Sequence, residues 1–272
     1  MHCSRFALYL YPNIDGMKGK TIFITGASSG IGEACARKFA ANGGRLILNA
    51  RSKDKLEALK AELETLYGAE VLLLPFDVRD TPAAKEMLAS LPDGFRDIDV
   101  LVNNAGLALG LDKQQEGDLD QYITMIDTNV KALLVITRLV VPGMVERGRG
   151  HVINIGSCAG DAAYAGASVY CATKAAVKAL SDGLRIDLVD TPVRVTNVKP
   201  GLVNTNFSTV RFGGDRARAD KVYQGVKPLV GEDIAEVVYF AAAAPEHVQI
   251  AEVLVYATNQ ASATQVYRED EK

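Results

Sequence analysis

A phenol and an ammonium group four residues apart are the side chains best suited to chemistry. They are Tyr170 and Lys174, in the segment Tyr-Cys-Ala-Thr-Lys. If this segment is helical, as the alanine-rich run at 175–180 indicates, the spacing places both side chains on one face. A free tyrosine titrates near pH ~10, so a base that works near pH ~7 needs a pKa about 3 units lower, or roughly 4 kcal/mol. We expect the nearby ammonium to supply much of that stabilisation.

A serine hydroxyl precedes this pair by thirteen residues. Ser157 follows Ile153-Asn154-Ile155-Gly156, a pattern typical of a buried strand that ends next to the serine. An isolated Y-x-x-x-K is most often a chance pairing on a helix face, and the preceding strand and hydroxyl make a proton-transfer site the better interpretation.

The rest of the chain alternates between short apolar runs and segments with helical periodicity. We expect helices at 31–42, 53–67, 82–91, 119–147 and 234–243, in addition to the one that carries Tyr170. Seven strands are predicted at 21–25, 46–50, 71–74, 98–102, 151–155, 193–198 and 252–256. Continuous apolar strands separated by helices predict an α/β fold, a parallel sheet covered on both faces with right-handed crossovers.

A glycine-rich turn lies between the first predicted strand and the first predicted helix. It reads Thr-Gly-Ala-Ser-Ser-Gly-Ile-Gly, with glycines at Gly26, Gly30 and Gly32. Glycines at this position let the backbone approach a pyrophosphate, whose charge is met by the amides of the helix N-terminus. The spacing G-x-x-x-G-x-G departs from the common G-x-G-x-x-G fingerprint, so the turn predicts a dinucleotide only together with other motifs.

The end of the second strand predicts which dinucleotide is bound. An acidic residue there would accept the ribose hydroxyls and favour NAD, but the chain has Ala50 followed by Arg51. A guanidinium in place of a carboxylate attracts a 2′-phosphate, so NADP is the predicted cofactor.

Length, charge and cysteine usage exclude several other functions. The chain has 272 residues and 48% hydrophobic residues, with a net charge of −3, no basic stripe of the kind that nucleic acid requires, and no apolar run that we expect to cross a bilayer. We therefore expect no nucleic-acid or membrane partner. Four scattered cysteines lack metal-ligand or disulfide spacing, so we expect no metal and predict a reducing, cytoplasmic location. Cys158 and Cys171 are better explained as small buried thiols than as redox sensors.

Domain organisation is expected to be simple. Residues 1–16 are predicted to be a loosely held N-terminal tail ahead of Met17, and 17–272 to be a single catalytic domain. The stretch 204–228, which we name the lid, departs from the strand and helix alternation, and we expect it to be irregular. A substrate-binding loop and a solvated surface excursion explain the lid equally well.

Several further motifs resemble those of the short-chain dehydrogenase/reductase family. They occur in the order typical of that family from Thr25 to about Thr258, and include Asp77-Val78, Asn103-Asn104-Ala105-Gly106, Asn129 and Pro200-Gly201. The resemblance implies a Rossmann-like three-layer sandwich with strand order 3-2-1-4-5-6-7. It also implies a catalytic set of Asn129, Ser157, Tyr170 and Lys174.

Each member of that set has an implied role. Tyr170 would exchange a proton with the substrate oxygen, which Ser157 would hold. Lys174 would lower the tyrosine pKa and bind the nicotinamide ribose, while Asn129 would position a water for proton relay. With the arguments above, the resemblance implies a cofactor site of Gly26, Ser28, Ser29, Gly30, Ile31, Gly32, Arg51, Asp77, Val78, Asn104, Ala105, Gly106, Tyr170, Lys174, Pro200, Gly201, Val203 and Thr205.

A narrower resemblance concerns the substrate. The segments at 102–109, 200–203, 210–212 and 258–262 are similar to those of NADP-dependent 3-hydroxy acid dehydrogenases, a subgroup that includes serine and L-allo-threonine dehydrogenases. It implies oxidation of the 3-hydroxyl of a small acid, and a homotetramer. A small carboxylate in a partly desolvated cleft needs a fixed cation, and Arg211 in the lid is our candidate, so that Ser157, Tyr170 and Arg211 would contact the substrate.

Two other functions stay open at this point. A broad carbonyl or diketone reductase would use the same chemistry on neutral substrates. An NADP-binding sensor would keep the fold without turnover, but such proteins tend to lose a catalytic side chain, and this chain has all four.

Overall fold

A seven-stranded parallel sheet forms the centre of the computed structural model, which describes residues 17–269. Its strand order is β3-β2-β1-β4-β5-β6-β7, which confirms the predicted fold class. The predicted tail at 1–16 lies outside the described residues. The strands are β1 (Thr21–Thr25), β2 (Arg45–Asn49), β3 (Val71–Leu74), β4 (Ile98–Asn103), β5 (Gly150–Ile155), β6 (Val193–Pro200) and β7 (Glu252–Val255).

Alternate residues of the strands fill two cores, one on each face of the sheet. In β1, Ile22 and Ile24 pack with one cluster of buried residues, whereas Phe23 packs with the other. This follows from the two-residue period of a strand, which sends successive side chains to opposite faces. Burial on both faces is the reason that the strands read as continuous apolar runs.

Helices cover both faces of the sheet. They are α1 (Gly30–Ala41), α2 (Lys53–Tyr67), α3 (Thr81–Ala89), α4 (Asp93–Arg96), α5 (Leu119–Ile126), α6 (Ala132–Glu146), α7 (Ser168–Asp187), α8 (Phe207–Arg211), α9 (Arg216–Lys221) and α10 (Gly231–Ala243). The helices predicted from periodicity are all present, with ends that differ by no more than three residues.

The helical region Leu119–Glu146 departs from one expectation. A π-helical segment, Asp127–Lys131, joins α5 to α6, and the 28-residue whole is long and apolar enough, with a mean hydropathy of 1.4, to cross a membrane by length and composition. The prediction that no such run exists was therefore wrong. Half of its most apolar part is buried inside the protein, where Ile136, Val140 and Met144 pack in one of the two cores, which accounts for its hydropathy.

The lid contains more structure than predicted. Two short helices, α8 and α9, occupy part of 204–228, so the expectation of an irregular stretch was wrong. Its base is closed by backbone bonds, because Leu229 N donates to Leu202 O at 3.0 Å and Asn204 N donates to Leu229 O at 2.7 Å. Inside the lid, the Tyr223 hydroxyl donates to Val203 O at 2.9 Å.

Three of the four cysteines lie within the described residues. Cys35, Cys158 and Cys171 are free and buried, and burial raises the pKa of each thiol, that of Cys35 to about 12. A raised pKa disfavours the reactive thiolate, which agrees with their interpretation as small buried side chains.

Candidate functional site

A cleft of about 600 Å³ opens at the carboxyl ends of the strands. Segments after all seven strands and the lid line it, which is where ligands bind in open parallel sheets. Nineteen of the twenty-one predicted site residues are among its lining residues; the two that are not are Gly32 and Asn129.

The glycine turn after β1 fits tightly against the loop after β4. Gly26 has a φ of +66°, and a Cβ there would lie 2.9 Å from Ala105 Cα. The Asn104 side chain donates to the carbonyls of Thr25 and Gly26 at 2.9 and 3.1 Å. The turn is therefore held in a left-handed conformation that favours glycine, with its backbone exposed to the cleft ahead of α1.

Gly32 lies beneath the cleft and not in its wall. A Cβ at Gly32 would lie 2.4 Å from Gly26 O and 2.5 Å from Asn104 Nδ2. The residue therefore allows α1 to approach the turn closely, which is a packing role; its contact with a cofactor stays a prediction.

The end of the cleft near β2 and β3 carries two arginines. Arg51 lines the cleft as predicted, and Arg79 joins it there. Arg79 forms a bidentate pair with Asp77, with Nη2 to Oδ2 at 2.6 Å and Nε to Oδ1 at 3.0 Å. Hydrogen bonding to Arg79 lowers the pKa of Asp77, so the carboxylate stays charged and the local charge of this pair is balanced. Arg51, together with Lys55, which also lines the cleft, is left to meet an additional phosphate.

Helix α7 carries Tyr170 and Lys174 as predicted, and both side chains are buried. The Lys174 ammonium donates to Ile155 O, at the end of β5, at 2.8 Å. Burial lowers the pKa of Lys174 to about 8. A lysine held at the sheet edge beside the phenol is thus available to both a nucleotide and the tyrosine.

The electrostatics of Tyr170 differ from the expectation. Burial raises the pKa of Tyr170 above its usual value, while a hydrogen bond with Ser157 and the charge of Arg211 lower the pKa. The physical reason for the raised pKa is that burial in a low-dielectric site disfavours the charged phenolate. The role of Lys174 in lowering this pKa stays a prediction.

Asn129 holds two segments together. Its Nδ2 donates to Leu107 O at 2.8 Å and to Thr173 Oγ1 at 3.0 Å, and its Oδ1 accepts from Leu107 N at 2.9 Å. Both amide N–H donors are therefore used within the protein. The side chain joins the loop after β4 to α7 and so positions the helix of Tyr170; its role in holding a water stays a prediction.

Arg211 lies at the other end of the cleft, beside Tyr170. Its guanidinium carbon is 5.3 Å from the centroid of the Tyr170 ring, and Nε donates to Gly110 O at 3.3 Å. Phe207 packs on the same ring, with centroids 5.7 Å apart. The lid thus places a cation next to the phenol and the Ser157 hydroxyl.

A family model described as short chain dehydrogenase matches residues 20–213, the greater part of the chain. The chain belongs to the short-chain dehydrogenase family. The match covers the glycine turn, the strand ends and the pair on α7, that is, most of the motifs that carried the resemblance.

Individual short-chain dehydrogenases are similar over nearly their whole length. The NADP-dependent 3-hydroxy acid dehydrogenase of Salmonella typhi is 51% identical over 243 residues, which is 89% of this chain and 96% of that protein. The serine 3-dehydrogenase of Rhizobium radiobacter is 44% identical over 250 residues, 92% of this chain and 98% of that protein. Among solved structures, the closed form of a serine dehydrogenase complexed with NADP+ has a TM-score of 0.85 and 46% identity, and the match covers 92% of this chain and 100% of that one.

Sequence reasoning missed a number of residues of this short-chain dehydrogenase cleft, two of which bear on its chemistry. Arg79 and Tyr164 both line it. Arg79 could have been found from its position two residues after Asp77, because that spacing lets the arginine guanidinium fold back onto the Asp77 carboxylate. Tyr164 lies in an irregular loop and gave no periodic signal.

Proposed function

We propose that the protein is an NADP-dependent oxidoreductase that transfers hydride between NADP and the 3-hydroxyl carbon of a small 3-hydroxy acid of the serine, L-allo-threonine or 3-hydroxyisobutyrate type. The observation that carries the proposal is the arrangement of one cleft, with a phosphate cradle and Arg51 at one end and Ser157, Tyr170 and Arg211 at the other. The similarity to 3-hydroxy acid and serine dehydrogenases supports the same activity.

The residues present fit NADP. The cradle after β1 leaves no room for a Cβ at Gly26 and only about 3.1 Å between a Cβ at Gly30 and Thr205, so the backbone itself is available to a pyrophosphate. Arg51 supplies a guanidinium for the 2′-phosphate. Lys174 and the residues from Pro200 to Thr205 would hold the nicotinamide half, as Asp77 and Val78 would border the adenine.

In this proposal, bound NADP would supply the acceptor for the hydride on the carbon that bears the 3-hydroxyl, and NADPH would supply the hydride in the reverse direction. Tyr170 takes the hydroxyl proton during oxidation and gives it back during reduction. Ser157 holds the substrate oxygen through a hydrogen bond of its hydroxyl, whereas the Tyr170 phenol moves the proton. Oxidation of serine or threonine would give a 3-oxo acid that can lose carbon dioxide without further catalysis.

Arg211→Met is expected to raise KM for 3-hydroxyisobutyrate about 10- to 100-fold, because the variant removes a charge-assisted hydrogen bond to the carboxylate in a partly desolvated cleft. The methyl ester of the same acid has no charge for Arg211 to pair with, so its KM is expected to change by less than about threefold. Steady-state kinetics on the two substrates measure this split.

Arg216→Met is the matched control, because Arg216 lies further along the lid, in α9, and does not line the cleft. It is expected to leave both KM values unchanged. An equal rise of KM for the acid and for the ester in Arg211→Met would contradict the carboxylate role.

Ser157→Ala is expected to move the acidic limb of the oxidation profile to higher pH. Oxidation needs the ionised phenol, and the hydrogen bond with Ser157 lowers the pKa of Tyr170, so loss of this bond leaves the pKa higher and requires a higher pH for the same rate. The measurement is kcat/KM for oxidation as a function of pH. Ser157→Thr keeps the hydroxyl, and the extended backbone at this position suits threonine, so this control should keep the acidic limb at the parental pH. An acidic limb that moves to lower pH in Ser157→Ala would refute the role of Ser157 in lowering the pKa of Tyr170.

A broad carbonyl or diketone reductase is the second candidate. It would use the same phenol and cofactor, and a levodione reductase shares the fold with a TM-score of 0.80 at 26% identity. Arg211 beside Tyr170 favours the acid over a neutral diketone. We also propose a cytoplasmic homotetramer and a single domain over 17–272, on the basis of the family resemblance.

A further inference from the structure

The guanidinium of Arg211 is held from two sides. Nε donates to Gly110 O at 3.3 Å, and Nη2 donates to the hydroxyl oxygen of Tyr164 at 3.4 Å. The backbone is tied as well, since Gly110 N donates to Arg211 O at 3.0 Å. The orientation of the cation over the Tyr170 ring therefore depends on two neighbouring loops and not on α8 alone.

Tyr164 belongs to the loop between Ser157 and Tyr170, and its position is fixed by that loop. Gly166, with a φ of +74°, packs so closely that a Cβ there would lie 2.4 Å from Leu111 O. Ala167 N donates to Tyr164 O at 3.2 Å, just before α7 begins. The phenol of Tyr164 is thus placed in the wall of the cleft by the same short connection that leads to Tyr170.

The bond with Tyr164 leaves most of the guanidinium available. A guanidinium has five N–H donors, and the two bonds described use one on Nε and one on Nη2. A fork of N–H groups therefore remains for a carboxylate. Since the Tyr164 oxygen accepts from Arg211, its own O–H can donate to the same carboxylate, so the phenol and the guanidinium together match the two oxygens of one acid group.

We propose that Tyr164 is a positioning and specificity residue for the substrate carboxylate, which fixes the orientation of Arg211 and adds a second donor. The inference rests on the proposed function and extends it to a residue that the sequence motifs did not indicate. A long arginine side chain loses much rotational freedom when it binds, and a fixed partner reduces that loss at the moment of binding. We therefore expect Tyr164 to affect binding of the acid and not the transfer of the proton.

Tyr164→Phe tests the inference, because it removes one hydroxyl and keeps the ring. KM for 3-hydroxyisobutyrate is expected to rise about fivefold, with kcat within about twofold of the parental value, since one hydrogen bond to a charged group at the long end of the distance range is lost. KM for the methyl ester should stay within about twofold. In the Arg211→Met background the same substitution should raise KM by a smaller factor, because only the second donor, and no longer the orientation of Arg211, is then lost.

Tyr122→Phe is the matched control. Its hydroxyl donates to Gln114 O at 3.3 Å, a bond of similar length that lies outside the cleft, so its KM values should be parental. An unchanged KM for the acid in Tyr164→Phe, or a rise of KM of the full size in the Arg211→Met background, would overturn the Tyr164 inference alone. If the unsubstituted enzyme oxidises the ester but no 3-hydroxy acid, the proposed function and the inference both fail.

Discussion

Tyr170→Phe is expected to lower kcat for 3-hydroxy acid oxidation by about 10³-fold, within the range of about 10²–10⁴ that a positioned acid or base contributes. The variant keeps the ring that packs on Phe207 at 5.7 Å and lies beneath Arg211, so the cleft should keep its shape. It loses only the oxygen that exchanges the proton. Steady-state rates in both directions measure the loss.

Binding of NADPH separates this chemical loss from a folding defect. Titration of Tyr170→Phe with NADPH should give a Kd within about threefold of the parental value, because the phosphate and adenosine contacts lie at the other end of the cleft. Parental turnover by this variant would show that the phenol does not move the proton. A fall of equal size in Tyr122→Phe would show that any tyrosine hydroxyl has this effect.

Arg51→Ala is expected to weaken NADP binding by about 10- to 100-fold, because a hydrogen bond between two charged groups is lost. NAD carries no 2′-phosphate, so its Kd should change by less than about threefold. Arg79 cannot replace Arg51 fully, since its guanidinium is committed to Asp77 through bonds of 2.6 to 3.1 Å. Titrations with both nucleotides measure the difference.

The control for Arg51→Ala is an arginine outside the cleft. Arg96 is paired with Asp93 at 2.8 Å, and Arg96→Ala should leave the Kd values for both nucleotides unchanged. Equal losses for NADP and NAD in Arg51→Ala would contradict the 2′-phosphate role. Such a result would make Arg51 a general contributor to the adenosine site.

The strands and most helices could be predicted because a buried strand or helix face requires apolar residues at a regular spacing. The helix at 53–67 and the strand at 71–74 were predicted with the bounds that the structure shows. In the helix, apolar residues recur at helical spacing, and the strand is continuously apolar. The helices of the lid were missed because they have five and six residues, too few to show a period. In α9, the sequence Arg-Ala-Arg-Ala-Asp-Lys looks like a solvated loop.

Most of the candidate site could also be predicted, because its residues follow strand ends and occur at fixed spacings. Tyr170 and Lys174 were placed correctly on one helix, with Ser157 at the end of β5. Their pKa values could not be predicted, since the direction depends on how deeply each group is buried. The arginine over the Tyr170 ring and the loop that presents Tyr164 depend on contacts between distant segments, which no local pattern records.

The most direct measurement is the rate at which NADP is reduced, followed by NADPH absorbance, when the unsubstituted protein is supplied with L-serine, L-allo-threonine or 3-hydroxyisobutyrate. The account predicts sustained turnover of at least one of these acids with NADP, much slower turnover with NAD, and higher kcat/KM for 3-hydroxyisobutyrate than for its methyl ester. Tight binding of NADPH without turnover of any 3-hydroxy acid, in either direction, would contradict it.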